Sequence, residues 1–177
     1  MDLVTALAII IGIMGAIATF VAVQLGSPFV LIWAIFIGWA CYYHCGGQEA
    51  GIKASIPANI WGVICAAVAL IALLAMGVTP LNAGICVGVS VVVLILGAKI
   101  PALGAIPAQV YGYASTAGLF LLGVAGVASA GAAPYESVYG AGNGAVVKVA
   151  IAVIISLIIG NVLGFISQKI AGTIVKS

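Results

Sequence analysis

The stretch Ser55–Gly62 reads SIPANIWG, and Ala105–Gly112 reads AIPAQVYG. Each carries Ile-Pro-Ala, an amide side chain, a β-branched residue, an aromatic residue and a glycine, in that order and fifty positions apart. Proline is tolerated in the first turn of a helix, where its missing N–H would have been unpaired and its ring presets the backbone angle. Each phrase therefore predicts a helix start, with Pro57 and Pro107 in the first turn. Gly62 and Gly112 follow one turn on and let another helix approach closely. Two such starts, two helices apart, predict a parallel internal repeat. Helices two and three, about residues 27–76, would be copied as helices four and five, about 77–126. Gly38 and Gly88 share the same offset. Repeats of this kind are related by an axis along the membrane normal.

The surrounding composition names the solvent. The chain is 66% hydrophobic and 5% charged, against roughly 25% charged for soluble domains. Five lysines, three acidic residues and no arginine cannot cover a water-facing surface. The solvent for most of this chain is a bilayer. A net charge of +2, scattered along the chain, gives nucleic acid nothing to bind. The opening MDLVTALAII has an acid and no basic region, so it predicts a retained spanning helix and not a cleaved signal.

Six apolar segments approach the roughly 20 residues a spanning helix needs. They run over Leu3–Leu25, Phe29 to about Tyr43, Ala58 to about Met76, Leu81 to about Ala98, Ala108 to about Ala130, and Val146 to about Ile166. The expected fold is an all-α polytopic membrane protein: six transmembrane helices in one domain, residues 1–177. With the N-terminus inside, Lys53, Lys99, Lys169 and Lys176 fall on the cytoplasmic side and Lys148 outside, which predicts that both termini are cytoplasmic. The connections HCGGQEAGIKASI and KIPALGAI are rich in Gly, Ala and Pro. They are read either as loops or as broken pieces packed within the protein.

Asn59 and Gln109 are the equivalent amides of the two phrases. Helix N-termini offer free N–H groups and partial positive charge. Two of them facing each other, each with an amide, can bind a small polar or anionic solute, with Trp61 and Tyr111 as candidate aromatic walls of the same site. The plainer alternative is that the aromatics belong to the interfacial belt and the amides face headgroups. The geometry of a helix couples the two: residues 59 and 61 lie roughly 200° apart, so an outward aromatic implies an inward amide.

CYYHCGG, Cys41–Gly47, holds the one histidine, His44, between Cys41 and Cys45. Three ligands without a fourth make a weak metal signal, and a helix end at the interface is the simpler reading. His44 still carries the one side chain whose ordinary pKa lies near neutrality. Four cysteines, Cys41, Cys45, Cys65 and Cys86, all lie in or beside apolar segments and read as small buried hydrophobes. The loop AGAAPYESVYGAGNGA holds Tyr135, Glu136, Tyr139 and Asn143 and reads as a solvated loop or the lining of a vestibule. Gly84 with Gly88, and Gly160 with Gly164, are small-xxx-small pairs of the type that pack helices in lipid.

No charged residue lies at the centre of a predicted helix, whereas proton relays and charge-coupled carriers usually keep one there. No triad, carboxylate pair or phosphate loop appears, so no enzyme and no cofactor is expected. With six helices, the doubled Ile-Pro-Ala phrase and this length, the chain resembles the family of small bacterial inner-membrane proteins classed as domain of unknown function ten ninety-seven. The resemblance covers nearly the whole chain and implies an inner-membrane location, with no functional residues carried over. The residues themselves lead to a passive channel or facilitator for a small uncharged solute such as urea, an amide or ammonia. The expected partners are lipids, the solute and further copies of the chain. An accessory subunit without transport, or a sodium-coupled carrier, are the alternatives.

Overall fold

A computed structural model describes residues 2–124 and 139–176, and everything below concerns these. They form six helices: Leu3–Leu25 (α1), Ile32–His44 (α2), Gln48–Met76 (α3), Pro80–Leu96 (α4), Ile106–Val124 (α5) and Gly142–Lys176 (α6). Two 3₁₀ turns, Gly97–Lys99 and Pro101–Leu103, lie between α4 and α5. Four helices are long and apolar enough to cross a membrane: α1, α3, α4 with its first 3₁₀ turn, and α6. The remaining two fall short for different reasons. α2 has 13 residues, about 20 Å at 1.5 Å per residue, against a hydrocarbon core of roughly 30 Å. The described part of α5 carries Gln109, two tyrosines, Ser115 and Thr116 among its apolar residues.

The ends of the elements follow from local chemistry. Asp2 caps α1 by accepting the Thr5 N–H at 3.0 Å, and Gly26, with φ at +54°, closes it. Thr79 caps α4 by accepting the Asn82 N–H at 3.2 Å, with Pro80 in the first turn. The Asn82 amide then donates to the Met76 and Gly77 carbonyls, each at 2.9 Å. It thereby supplies donors to the end of α3, whose last carbonyls have none within the helix. α2 passes to α3 through Gly46, Gly47 and Gln48, all at positive φ.

The third helix starts ten residues earlier than the repeated phrase predicts, so Pro57 sits inside α3 and not in its first turn. The reason is the preceding QEAGIKAS. Its Gln, Glu, Ala and Lys are good helix formers, and Glu49 pairs with Lys53 one turn on at 3.6 Å. Pro57 removes the N–H that would bond the Lys53 carbonyl, and the helix continues past it. Pro107 does stand in the first turn of its helix, α5. α6 extends well beyond the predicted Val146–Ile166 at both ends.

α3 and α6 form the centre: 44% of the apolar window of each is buried, against 17% for α1 and α4. α3 packs on α5, and α2 on α6; α4 lies on α3, and α1 on α6. Val63, Leu70, Phe120, Val146, Val149, Val153 and Leu157 fill the core between α3, α5 and α6. The outer faces carry Phe20, Val68, Leu81 and Val89, all exposed. Such a surface would be an aggregation hazard in water and suits lipid tails. Within lipid, close van der Waals packing and hydrogen bonds hold the helices together.

Candidate functional site

The tightest places in the molecule are two helix crossings built on glycine. In the first, a Cβ at Gly62 would lie 1.9 Å from the Gln109 carbonyl oxygen, and one at Gly112 would lie 2.1 Å from that of Asn59. In the second, a Cβ at Gly160 would lie 2.0 Å from the Ile35 oxygen, and one at Gly38 would lie 2.3 Å from that of Leu157. No side chain fits in either place, so α3 meets α5, and α2 meets α6, backbone against backbone. Gly164 continues the second crossing against Tyr42, whereas Gly84 and Gly88 on α4 have no atom near enough to meet a Cβ.

Asn59 ties the two crossings together. It is buried, and its amide donates to the Ala108 carbonyl at 2.8 Å and to the Cys41 sulfur at 3.5 Å. Its Oδ1 accepts from the Asn161 amide at 3.0 Å. Asn161 also donates to the Leu157 carbonyl at 2.8 Å and accepts from the Ser55 hydroxyl. One chain of hydrogen bonds thus joins α2, α3, α5 and α6, with every amide atom of both asparagines engaged. Interhelical bonds of this type in membrane proteins contribute about 0.6 kcal/mol on average and up to ~1.7.

Gln109 differs. It is fully buried, and its amide donates to the Leu103 carbonyl of the second 3₁₀ turn at 2.7 Å. Its Oε1 has no donor among the described residues. The Ser115 hydroxyl, six residues further along α5, is likewise buried and unbonded. A buried polar atom left without a partner costs about 1–3 kcal/mol. Folded proteins hold few of them, and each calls for an explanation.

The aromatic residues go separate ways. Trp61 is half-buried on the α4 side, donates to the Leu94 carbonyl at 3.1 Å, and lies against Gly97. Tyr111 is half-buried and bonds the exposed His44 through Nδ1 at 2.9 Å. Tyr111 also packs against Cys41, Ala58 and Ala108, beside the bonds of Asn59, whereas Trp61 packs with Cys65, Leu94 and Tyr113. Cys41 is the acceptor of the Asn59 amide, and no group of three His, Cys, Asp or Glu side chains among the described residues is placed to hold a metal ion. Tyr135 and Glu136 lie outside the described residues; Tyr139 is buried with its hydroxyl on the Pro28 carbonyl at 2.5 Å, and Asn143 is exposed.

Sequence reasoning missed Asn161, Ser55 and the bonds that zip α2 to α6. Along that crossing the Leu31 N–H donates to Ser156 at 2.9 Å and the Trp39 indole to Ser167 at 3.1 Å. The Tyr42 hydroxyl and the Gln48 N–H both donate to Gln168 Oε1. Asn161 carried a usable signal, being an amide at the middle of an apolar run, but it lies outside the doubled phrase that singled out Asn59.

A family model described as "Protein of unknown function (DUF1097)" matches residues 8–172. No curated protein and no solved structure matches the chain.

Proposed function

Since the chain belongs to the DUF1097 family of proteins of unknown function, we propose from its physical chemistry that it is a passive facilitator for a small uncharged solute bearing N–H groups. Urea, a short amide or ammonia fits that description. The observation that carries this reading is the buried Gln109 Oε1, an acceptor that no described residue satisfies. A solute N–H supplies the missing donor. Ser115 offers a second polar contact on the same helix, and Asn59 holds α5 in place through Ala108. The buried polar side chains described are all uncharged, being serines, asparagines, a glutamine and a threonine. Such a lining favours neutral solutes, because an ion leaving water would find no opposite charge.

We place the protein in the bacterial inner membrane as a six-helix homo-oligomer with both termini cytoplasmic, on the lysine distribution and the small-residue helix faces. A C-terminal reporter fusion and native mass spectrometry in mild detergent test orientation and assembly. A sodium-coupled carrier is the second reading. The double 3₁₀ break between α4 and α5 favours it, since the Leu103 carbonyl accepts the amide N–H of Gln109, whose Oε1 has no described donor, and unwound backbone carbonyls bind sodium in carriers. Urea flux into liposomes decides. Flux independent of sodium and reduced in Gln109→Leu is the expected result; sodium-dependent flux favours the carrier, and flux unchanged in Gln109→Leu removes this residue from the path.

A further inference from the structure

We infer that the chain is an inverted repeat, α1–α3 against α4–α6, and that it moves its solute as a carrier whose two halves rock against each other about their common axis. The second half of this inference rests on the transport reading above; the first does not.

The two crossings are copies of one geometry. Gly62 meets the oxygen of Gln109 and the nitrogen of Tyr113, at 1.9 and 2.8 Å from a built Cβ. Gly160 meets the oxygen of Ile35 and the nitrogen of Trp39, at 2.0 and 2.8 Å. Gly112 and Gly38 close the two contacts from the other side, each against the carbonyl three residues before the partner glycine. The correspondence therefore takes α3 to α6 and α5 to α2. It also matches Trp39 with Tyr113, the aromatic residues that follow, but not their partners: Trp39 bonds Ser167 on α6, whereas Tyr113 bonds Ser90 at 2.8 Å on α4 and not on α3. It extends to the outer helices too, since α1 lies on α6 as α4 lies on α3, while α1 touches α2 as lightly as α4 touches α5.

The helix directions make the repeat inverted. Along α6, contacts rise with residue number in α2, from Leu31 on Ser156 to Tyr42 on Gln168, so these two run together. Against α3 they fall, from Gln48 on Gln168 to Ser55 on Asn161, so α3 opposes α6. α5 runs with α3, because Ala58 clusters with Ala108, and Val63 and Leu70 with Phe120 further along. Each of α2 and α3 thus opposes its counterpart, and the axis relating the halves lies across the helices. A parallel repeat fares worse: it pairs Gly38, closed on Leu157, with Gly88, which has nothing near it.

Inverted repeats place solute sites where the halves meet, near the bilayer midplane. Four residues on from Ser55 is Asn59, and four back from Asn161 is Leu157, so the register sets Asn59 level with Leu157. These two residues are also counterparts, since each supplies the carbonyl its crossing's second glycine meets. The axis therefore passes at Asn59, whose hydrogen bonds reach both crossings. In carriers built this way the two halves rock about a site at that axis, and Asn59, bonded into both crossings, stands where they would turn.

Two measurements test this. Thermal midpoints in detergent of Gly38→Ala, Gly62→Ala, Gly112→Ala, Gly160→Ala and Gly88→Ala test the symmetry. All but Gly88→Ala should drop by similar amounts or fail to assemble, while Gly88→Ala matches the parent. A drop in Gly88→Ala equal to that in Gly38→Ala, with Gly160→Ala unchanged, overturns the inverted repeat. Counterflow tests the carrier: liposomes loaded with unlabelled urea or acetamide receive the labelled compound outside. Internal label rising transiently above its equilibrium level is expected. Flux without that overshoot rejects the carrier and leaves the facilitator standing, and absence of any protein-dependent flux rejects both.

Discussion

The α2/α6 crossing and the α3/α5 crossing share a backbone geometry to within a few tenths of an ångström, yet differ in what surrounds them. Around α2 and α6 each buried polar group has a partner: Trp39 and Tyr43 on Ser167, Tyr42 on Gln168, and Leu31 on Ser156. Along α5 two buried polar atoms, Gln109 Oε1 and Ser115 Oγ, have none among the described residues. Shape is thus held in common and polar satisfaction is not. Close packing sets how near two helices come, and the polar atoms decide whether the seam is finished in itself or awaits a ligand. The unfinished seam is the one a solute would complete.

The sharpest way to break this comparison is to remove what both seams depend on. Asn161→Leu leaves the Asn59 oxygen and the Ser55 hydroxyl without their partners. At about 1–3 kcal/mol for a buried unpaired polar group, a loss of roughly 2–4 kcal/mol is expected. Equilibrium unfolding in mixed micelles would measure it, and a loss too small to resolve would mean the network holds neither seam.

A pair of isosteric changes then sets one seam against the other. Gln168→Leu removes the acceptor of Tyr42 and of the Gln48 N–H, so it should lower stability by about 1–2 kcal/mol and leave urea flux intact. Gln109→Leu removes an unpaired oxygen together with one bond. It should leave stability within about 1 kcal/mol of the parent, or raise it, while flux falls. If both variants lose stability alike and neither loses flux, the two seams do not differ in function.

The smallest effect expected comes from outside both seams. The Thr5 hydroxyl and N–H hold the exposed Asp2 carboxyl below its usual range. A carboxylate with a lowered folded pKa stabilises above its unfolded value of 3.8 and loses that contribution as the pH falls through the folded value. The protection of the first α1 amides, corrected for the intrinsic pH dependence of exchange, should therefore fall only below about pH 4. Protection at the four crossing glycines should show no such acid step, since the acidic residues described, Asp2 and Glu49, are both exposed and lie away from them.

How much of this was legible in the sequence varied with the physics involved. Gly62 and Gly112 were found because the phrase that holds them is written twice, and Asn59 and Gln109 because they are the equivalent amides of that phrase. Pro57 misled, because its fit to a first turn says nothing about the helix formers Gln48, Glu49, Ala50, Lys53 and Ala54 before it. The partner of Gly38 was invisible: it is Leu157, near the other end of the chain, and periodicity carries no information about which distant helix fills a groove. Pairing Gly38 with Gly88 by offset was reasonable on spacing, but only packing reveals that one is covered and the other open.

The Asn82 amide that caps the Met76 and Gly77 carbonyls bears on how the chain enters a bilayer. Backbone carbonyls at the tip of a helical hairpin must be dragged through hydrocarbon when that tip is translocated, at several kcal/mol for each one left bare. Here the tip brings its own donors, with the Thr79 hydroxyl serving the first turn of α4 in the same way. α3 and α4 are therefore suited to insertion together, as a hairpin whose leading end has already shed its need for water.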